Sequence, residues 1–313
     1  MLKRQTVGIV GTGQVGMAAA YAIFQQKTAS RLVLIDIDKK HAEGEAMDLM
    51  HGQAYVGRCN VHAGGYEELK EAQMMVIAAG ASQQPGESRL ELLNRNALIF
   101  REIASELDRH AGEAILLIAT NPVDILTYVM QTLSKRPPNL IIGTGTMLDT
   151  TRFRTLLGAY YNVDPRSVHA FILGEHGDSE VPIWSSATIA GSPLLNNNIL
   201  GKTFEHDAMD ALFQRVRRAA YEIIDRKGYT NWAIGLVIAH LWRTIQDDQN
   251  SVLPVSVRLA GEYGIHDVCL SIPTTVGING VGDRVLPALS KQELQALRHS
   301  AQVLQQSLTG IKL

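Results

Sequence analysis

Val7-Gly8-Ile9-Val10-Gly11-Thr12-Gly13-Gln14-Val15-Gly16 is the stretch from which the fold can be read. A short apolar strand, Val7–Val10, runs straight into a Gly-x-Gly-x-x-Gly turn, and a helical pattern follows from Gln14. Gly11 suits the tight turn, Gly13 lets backbone approach a pyrophosphate, and Gly16 lets the helix pack on its strand. The helix amino terminus then offers free N–H groups and a positive dipole to phosphates. Asp36 closes the next apolar strand, Leu32–Ile35, twenty residues past Gly16. A carboxylate there binds ribose hydroxyls and opposes the 2′-phosphate of NADP, since like charges about 4 Å apart cost on the order of 4 kcal/mol at an effective dielectric near 20. NAD is the cofactor expected, with Gly11, Gly13, Gln14, Val15, Gly16 and Asp36 as its contacts.

Working outward, buried-strand patterns at Met75–Ala79, Ile115–Ala119 and Leu140–Ile142 alternate with helical ones at Lys39–Met50, Leu90–His110 and Val123–Ser134. This alternation predicts an α/β fold, a doubly wound and mostly parallel sheet with ligands at its carboxyl edge. Past about residue 145 the texture shifts to long helices (Leu148–Tyr161, Asp207–Asp225, Trp232–Gln246, Lys291–Ser307) with strands near Val168–Leu173, Ser251–Leu259 and Val268–Val276. We divide the chain into a nucleotide-binding Rossmann domain, 1–144, and a second, mixed α+β substrate lobe, 145–313. No Pro/Ser-rich linker separates them, so a rigid body with a cleft is expected.

Composition narrows the class. The 313 residues are 46% hydrophobic and 19% charged, with a net charge of −2. That is a soluble globular profile with no electrostatic call for nucleic acid or anionic membrane. The apolar runs have strand length, too short to span a bilayer, and the first residues lack the pattern of a secretory signal. Cys59 and Cys269 are too few and too isolated for a disulfide framework or a thiolate metal site. A cytoplasmic enzyme without a bound metal is expected.

Chemistry concentrates in Gly174-Glu175-His176-Gly177-Asp178. A histidine between glycines can approach a ligand closely and exchange a proton near neutral pH. Four further segments accompany it: Gly80-Ala81-Ser82-Gln83-Gln84-Pro85-Gly86-Glu87-Ser88-Arg89, Thr120-Asn121-Pro122-Val123-Asp124, Gly145-Thr146-Met147-Leu148-Asp149-Thr150-Thr151-Arg152, and Lys227-Gly228-Tyr229-Thr230-Asn231-Trp232-Ala233-Ile234. With the glycine fingerprint these resemble, in order and over essentially the whole chain, the lactate/malate dehydrogenase family.

The resemblance implies NAD-dependent oxidoreduction of a 2-hydroxy acid, with His176 as proton donor and acceptor. Asp149 matches the carboxylate that orients the ring, and Arg152 the guanidinium that grips the substrate carboxylate through two parallel bonds. Arg89, on a Gly/Pro/Ser loop expected to move, matches the arginine that stabilises charge on the substrate oxygen and closes the site. Asn121 matches a residue shared by substrate and nicotinamide, Thr230 a wall of the substrate pocket and Ile234 the apolar contact behind the nicotinamide. Gln83 stands where malate-acting members carry arginine and lactate-acting members glutamine, so a second substrate carboxylate would be left uncompensated. Pyruvate and L-lactate are the substrates this implies, with branched 2-oxo acids and oxaloacetate as the alternatives. Arg154 and His169 fall where bacterial members bind fructose 1,6-bisphosphate between subunits, which implies an allosteric homotetramer.

Overall fold

The computed structural model describes residues 5–311 except 83 and 85. The leading strand β1 (Thr6–Val10) has no solvent-facing residue, as expected for a strand covered on both faces. It feeds α1 (Gln14–Gln25), then β2 (Arg31–Ile35), α2 (Lys39–His51), the single turn α3 (Gln53–Val56) and β3 (Asn60–Ala63). There follow β4 (Ala72–Ile77), α4 (Arg89–His110), β5 (Ile115–Ile118), α5 (Val123–Leu133) and β6 (Ile141–Gly143). The second half runs α6 (Met147–Tyr161), β7 (Val168–Leu173), β8 (Val181–Ile189), β9 (Ser192–Pro193), α7 (His206–Lys227) and α8 (Trp232–Gln246). It ends with β10 (Ser251–Ala260), β11 (His266–Gly277), β12 (Gly280–Arg284) and α9 (Lys291–Leu308).

Among the described residues, nine strands form one sheet in the order β12-β11-β10-β6-β5-β4-β1-β2-β3. The six strands from β6 to β3 pair in parallel, and the order reverses at β1, which lies between β2 and β4. This is the doubly wound sheet with its switch point beside the glycine turn. β3 and β12 were not anticipated, being short and only partly apolar.

The second half divides differently from expectation. β7, β8 and β9 form a separate antiparallel sheet, but β10 to β12 extend the large sheet, antiparallel to it, through the contact of Ser256 with Gly143. The second half of the chain is therefore not confined to a lobe of its own. Helix α8 also crosses back onto α1, so closely that a Cβ on Gly235 would lie 2.7 Å from the Ala18 backbone. Two apolar cores result. The larger spans the sheet and its covering helices, and the smaller, around Phe153, Tyr161, Ile172 and Met209, holds α6 and α7 against the β7–β9 sheet.

Candidate active site

Loops at the carboxyl ends of the parallel strands carry Gly11, Gly13, Asp36 and Asn121, and helices α1, α4 and α6 carry Gln14, Val15, Gly16, Arg89, Asp149 and Arg152. After β1, Gly11 turns with φ +94° and donates its N–H to the Ile35 carbonyl at 2.8 Å. A Cβ there would meet the Ala79 backbone at 2.5 Å, and one on Gly16 would lie 1.9 Å from the Gly11 carbonyl oxygen. Only glycine fits either position. Gly13 differs, because a Cβ there would meet nothing within 4 Å. It is the N-cap of α1, makes no side-chain cap, and has no acidic residue in the turn after it. Gly13 and Gln14 are exposed and Val15 half-buried. The first N–H groups of the helix are thus left for an external anion, and space lies in front of them.

Asp36 follows β2. Its Oδ2 accepts from the Thr12 N–H at 2.7 Å and the Thr12 hydroxyl at 2.9 Å, and its Oδ1 accepts from the Asp38 N–H at 3.0 Å. Burial pulls this carboxyl upward, but those hydrogen bonds and nearby His41 outweigh it and hold it below the ordinary carboxylate value. It stands as a fixed negative charge beside the glycine turn.

Across the sheet edge, α6 presents Asp149 and Arg152 one turn apart. Asp149 is only 3% exposed, and both of its oxygens are engaged. Oδ2 lies 2.5 Å from His176 Nδ1, while Oδ1 accepts from Arg152 Nη1 at 2.9 Å. Burial raises the Asp149 carboxyl, but the charges and hydrogen bonds of His176 and then Arg152 overcome it and keep it low. Burial works against the His176 cation too, yet Asp149, with Asp124 and Glu180 behind it, lifts the ring to about 9. At neutral pH this is an imidazolium on a carboxylate.

The main chain of His176 is held as firmly as its ring. Gly174 pairs with Ser271 of β11 in both directions, at 3.0 and 2.9 Å. The Glu175 N–H donates to the Ser300 hydroxyl of α9, and the His176 N–H to Asp124 Oδ2 at 2.7 Å. The other oxygen of Asp124 accepts from the Ser256 hydroxyl at 2.5 Å. Burial is the main influence on Asp124 and pushes it up to about 6 despite these donors. Asp124 lies inside the Asn-Pro segment, but its role was not anticipated. Its partners are 52 and 132 residues away, and nothing local signals them.

A cavity of about 880 Å³ opens over this constellation, lined by His176, Asp149, Arg152, Arg89, Asn121 and Glu180 among others. Asn121 lies just beyond β5 and is exposed. Arg89 is the first residue of α4 rather than part of the preceding loop, because Ser88 and Glu91 form a capping box that starts the helix there. Its side chain is 66% exposed and stands 3.8 Å from Glu175. Gln83 lies outside the described residues.

Thr230 and Ile234 are placed elsewhere. They line a second cavity of about 590 Å³ between α6, α7 and α8, with Arg152 as the wall shared by both spaces. Arg154 does not line the cavity above His176; it is stacked 5.1 Å from the Phe171 ring and donates Nε–H to the Ala170 carbonyl. His169 is exposed on β7 next to it in sequence to Ala170. Among the described residues no cluster of His, Cys, Asp and Glu is suited to a metal, and no helix is long and apolar enough to cross a membrane.

Comparison with known proteins gives the following likenesses. Residues 5–143 match the NAD binding domain of lactate/malate dehydrogenase, and residues 146–312 match the alpha/beta C-terminal domain of lactate/malate dehydrogenase. An L-lactate dehydrogenase of Salinibacter ruber is 61% identical over 308 residues, 98% of each chain. Another, of Gloeobacter violaceus, is 48% identical over 97% of this chain and 92% of its own. The crystal structure of the minor L-lactate dehydrogenase from Enterococcus mundtii, in a ligands-bound form, superposes with a TM-score of 0.96 at 41% identity, covering 99% of each chain.

Proposed function

The chain belongs to the lactate/malate dehydrogenase family, and from that premise we propose that it catalyses the reversible reduction of pyruvate to L-lactate with NADH. The observation that carries this reading is the His176–Asp149–Arg152 chain of contacts on one cavity wall. NAD(H), when bound, supplies or accepts the hydride; it fits the glycine turn, the uncapped α1 terminus and the charged Asp36 described above.

The remaining work falls to side chains. Arg152 holds the substrate carboxylate, its fork fixing the orientation of the carbonyl carbon. His176, protonated at neutral pH, gives its proton to the carbonyl oxygen during reduction and recovers it during oxidation. Asp149 engages Nδ1, so Nε2 is the ring nitrogen left for that transfer. Arg89, exposed at the α4 terminus, approaches the same oxygen from across the cavity, and Asn121 donates from its amide. Thr230 and Ile234 line the second cavity, which meets the one above His176 at Arg152.

Gln83 offers no cation to a second carboxylate, which favours pyruvate over oxaloacetate. We assign nucleotide binding to 1–144 and substrate chemistry to 145–313, a division supported by the two family matches, which meet between residues 143 and 146. Arg89 and Asn121 reach the substrate from the first unit. We place the enzyme in the cytoplasm, where the buried free thiols of Cys59 and Cys269 stay reduced.

NADH oxidation with a panel of 2-oxo acids tests the reading. The expected kcat/KM for pyruvate exceeds that for oxaloacetate by at least about a hundredfold, the order of discrimination set by an unpaired buried charge. A native preference for oxaloacetate overturns it. The same reading makes the enzyme a homotetramer with fructose 1,6-bisphosphate as effector, its phosphates held by Arg154 and His169 of two copies. A pyruvate half-saturation that does not move on titrating the sugar bisphosphate removes that part.

A further inference from the structure

The catalytic cavity contains an acid that the reaction above does not use. Glu180 precedes β8, four residues after His176, and is 7% exposed. The other acids of this region have partners. Asp149 and Asp124 are bonded at both oxygens, Glu175 accepts from the Ser179 hydroxyl at 2.5 Å, and Asp178 accepts from the Tyr221 hydroxyl at 3.1 Å. Glu180 Oε1 is buried with no hydrogen-bond partner. On α7, facing the same cavity, Arg217 has its Nε buried and equally without a partner. Of the described side chains lining this cavity, these two alone carry such an atom.

An ionised carboxylate in that position has no hydrogen bond at Oε1 to offset its lost hydration, and it faces the charge of Asp149. Burial is the largest influence on it and Asp149 the next; His176, Arg152 and Arg217 pull the other way, and the balance lies at about 8. Arg89 from α4, Asp178 from the catalytic loop and His299 from α9 complete the charged and titratable groups around the space.

We propose that Glu180 couples substrate binding to proton uptake: the substrate carboxylate binds at Arg152 only to the form in which the Glu180 carboxyl is neutral. The inference rests on the assignment of this cavity to a 2-oxo acid. A carboxylate at Arg152 adds a second negative charge to the neighbourhood of Asp149 and Glu180. It also occupies one of the cations that would otherwise stabilise ionised Glu180. Glu180 therefore takes a proton from solvent as the ligand enters and returns it on release. Arg217 is the positioning residue that sets the pH of this exchange, as the cation on the opposing helix.

Binding of oxamate, the unreactive amide isostere of pyruvate, to the enzyme–NADH complex tests this across pH 6.5–10. Two protons are then required, on His176 and on Glu180, so affinity in the wild-type enzyme falls toward about a hundredfold per pH unit at the alkaline end. In Glu180→Gln only His176 titrates, and the fall is limited to about tenfold per pH unit, wherever the histidine itself comes to titrate. Equal limiting slopes in the two proteins overturn the proposal. Should Glu180→Gln not fold, Arg217→Met decides. Loss of that cation moves the first break in the wild-type profile to higher pH, and an unmoved break counts against the coupling. Failure of oxamate to bind the wild-type complex at any pH sinks the substrate assignment and the coupling with it, whereas binding with equal slopes sinks the coupling alone.

Discussion

His176 and Asp149 form a pair whose two members shift in opposite directions because each stabilises the charged form of the other. The sign fixes the direction of the pH effects. His176 is raised to about 9, so the ring carries its second proton through neutral pH and, as the proposed donor, is loaded there. Pyruvate reduction then declines as pH rises toward that value, and lactate oxidation, which needs the neutral ring, gains over the same interval. Asp149→Asn keeps the shape and removes the charge. In that variant the alkaline limb of kcat/KM for pyruvate moves to lower pH, and kcat falls at least about a hundredfold, the usual contribution of a positioned acid. A pH–rate profile checks both, and an unmoved limb contradicts the account of the pair.

At the scale of elements, the site depends on where helices begin. Helix α1 begins at Gly13 with no side-chain cap and α4 begins at a full capping box, so the first leaves N–H groups open and the second seats Arg89. Gly16→Ala would set a methyl 1.9 Å from the Gly11 carbonyl oxygen, so the strand–helix joint has to open. A stability loss of about 1–3 kcal/mol, ordinary for overpacking, is expected with weaker NADH binding. Thermal melting with and without NADH measures it, and a variant with native Tm and native NADH affinity speaks against the tight joint. The glycine turn was legible in the sequence because strand, turn and helix follow one another without a break between Thr6 and Gln25 and each announces itself locally. Asp149 and Arg152 came from the family resemblance of their segment, and they lie one turn apart on α6. The exact start of α4 was not, because Gly86-Glu87-Ser88 reads equally as loop until the Ser88–Glu91 exchange of hydrogen bonds is seen.

In the whole molecule, the main chain of His176 is held by parts of the chain that share no local signal. Ser256 on β10 holds Asp124 on α5, which holds the His176 main chain, while Ser271 on β11 and Ser300 on α9 brace the residues before it. The sheet extension by β10 to β12 brings Ser256 and Ser271 to the site, and that extension is also where expectation and structure part. Antiparallel strands at the end of a chain read equally as a separate lobe or as an added edge. Only the pairing of Ser256 with Gly143 distinguishes the two. Glu180 and Arg217 were invisible in the sequence for a related reason: a lone acid and a lone arginine look like surface charges until burial and missing partners are known.

Single-turnover oxidation of NADH by pyruvate in His176→Gln tests the central claim most directly. If this ring is the proton donor, the chemical step slows at least about a hundredfold at neutral pH while NADH still binds. A variant that reduces pyruvate within tenfold of the native rate would show that the proton comes from elsewhere.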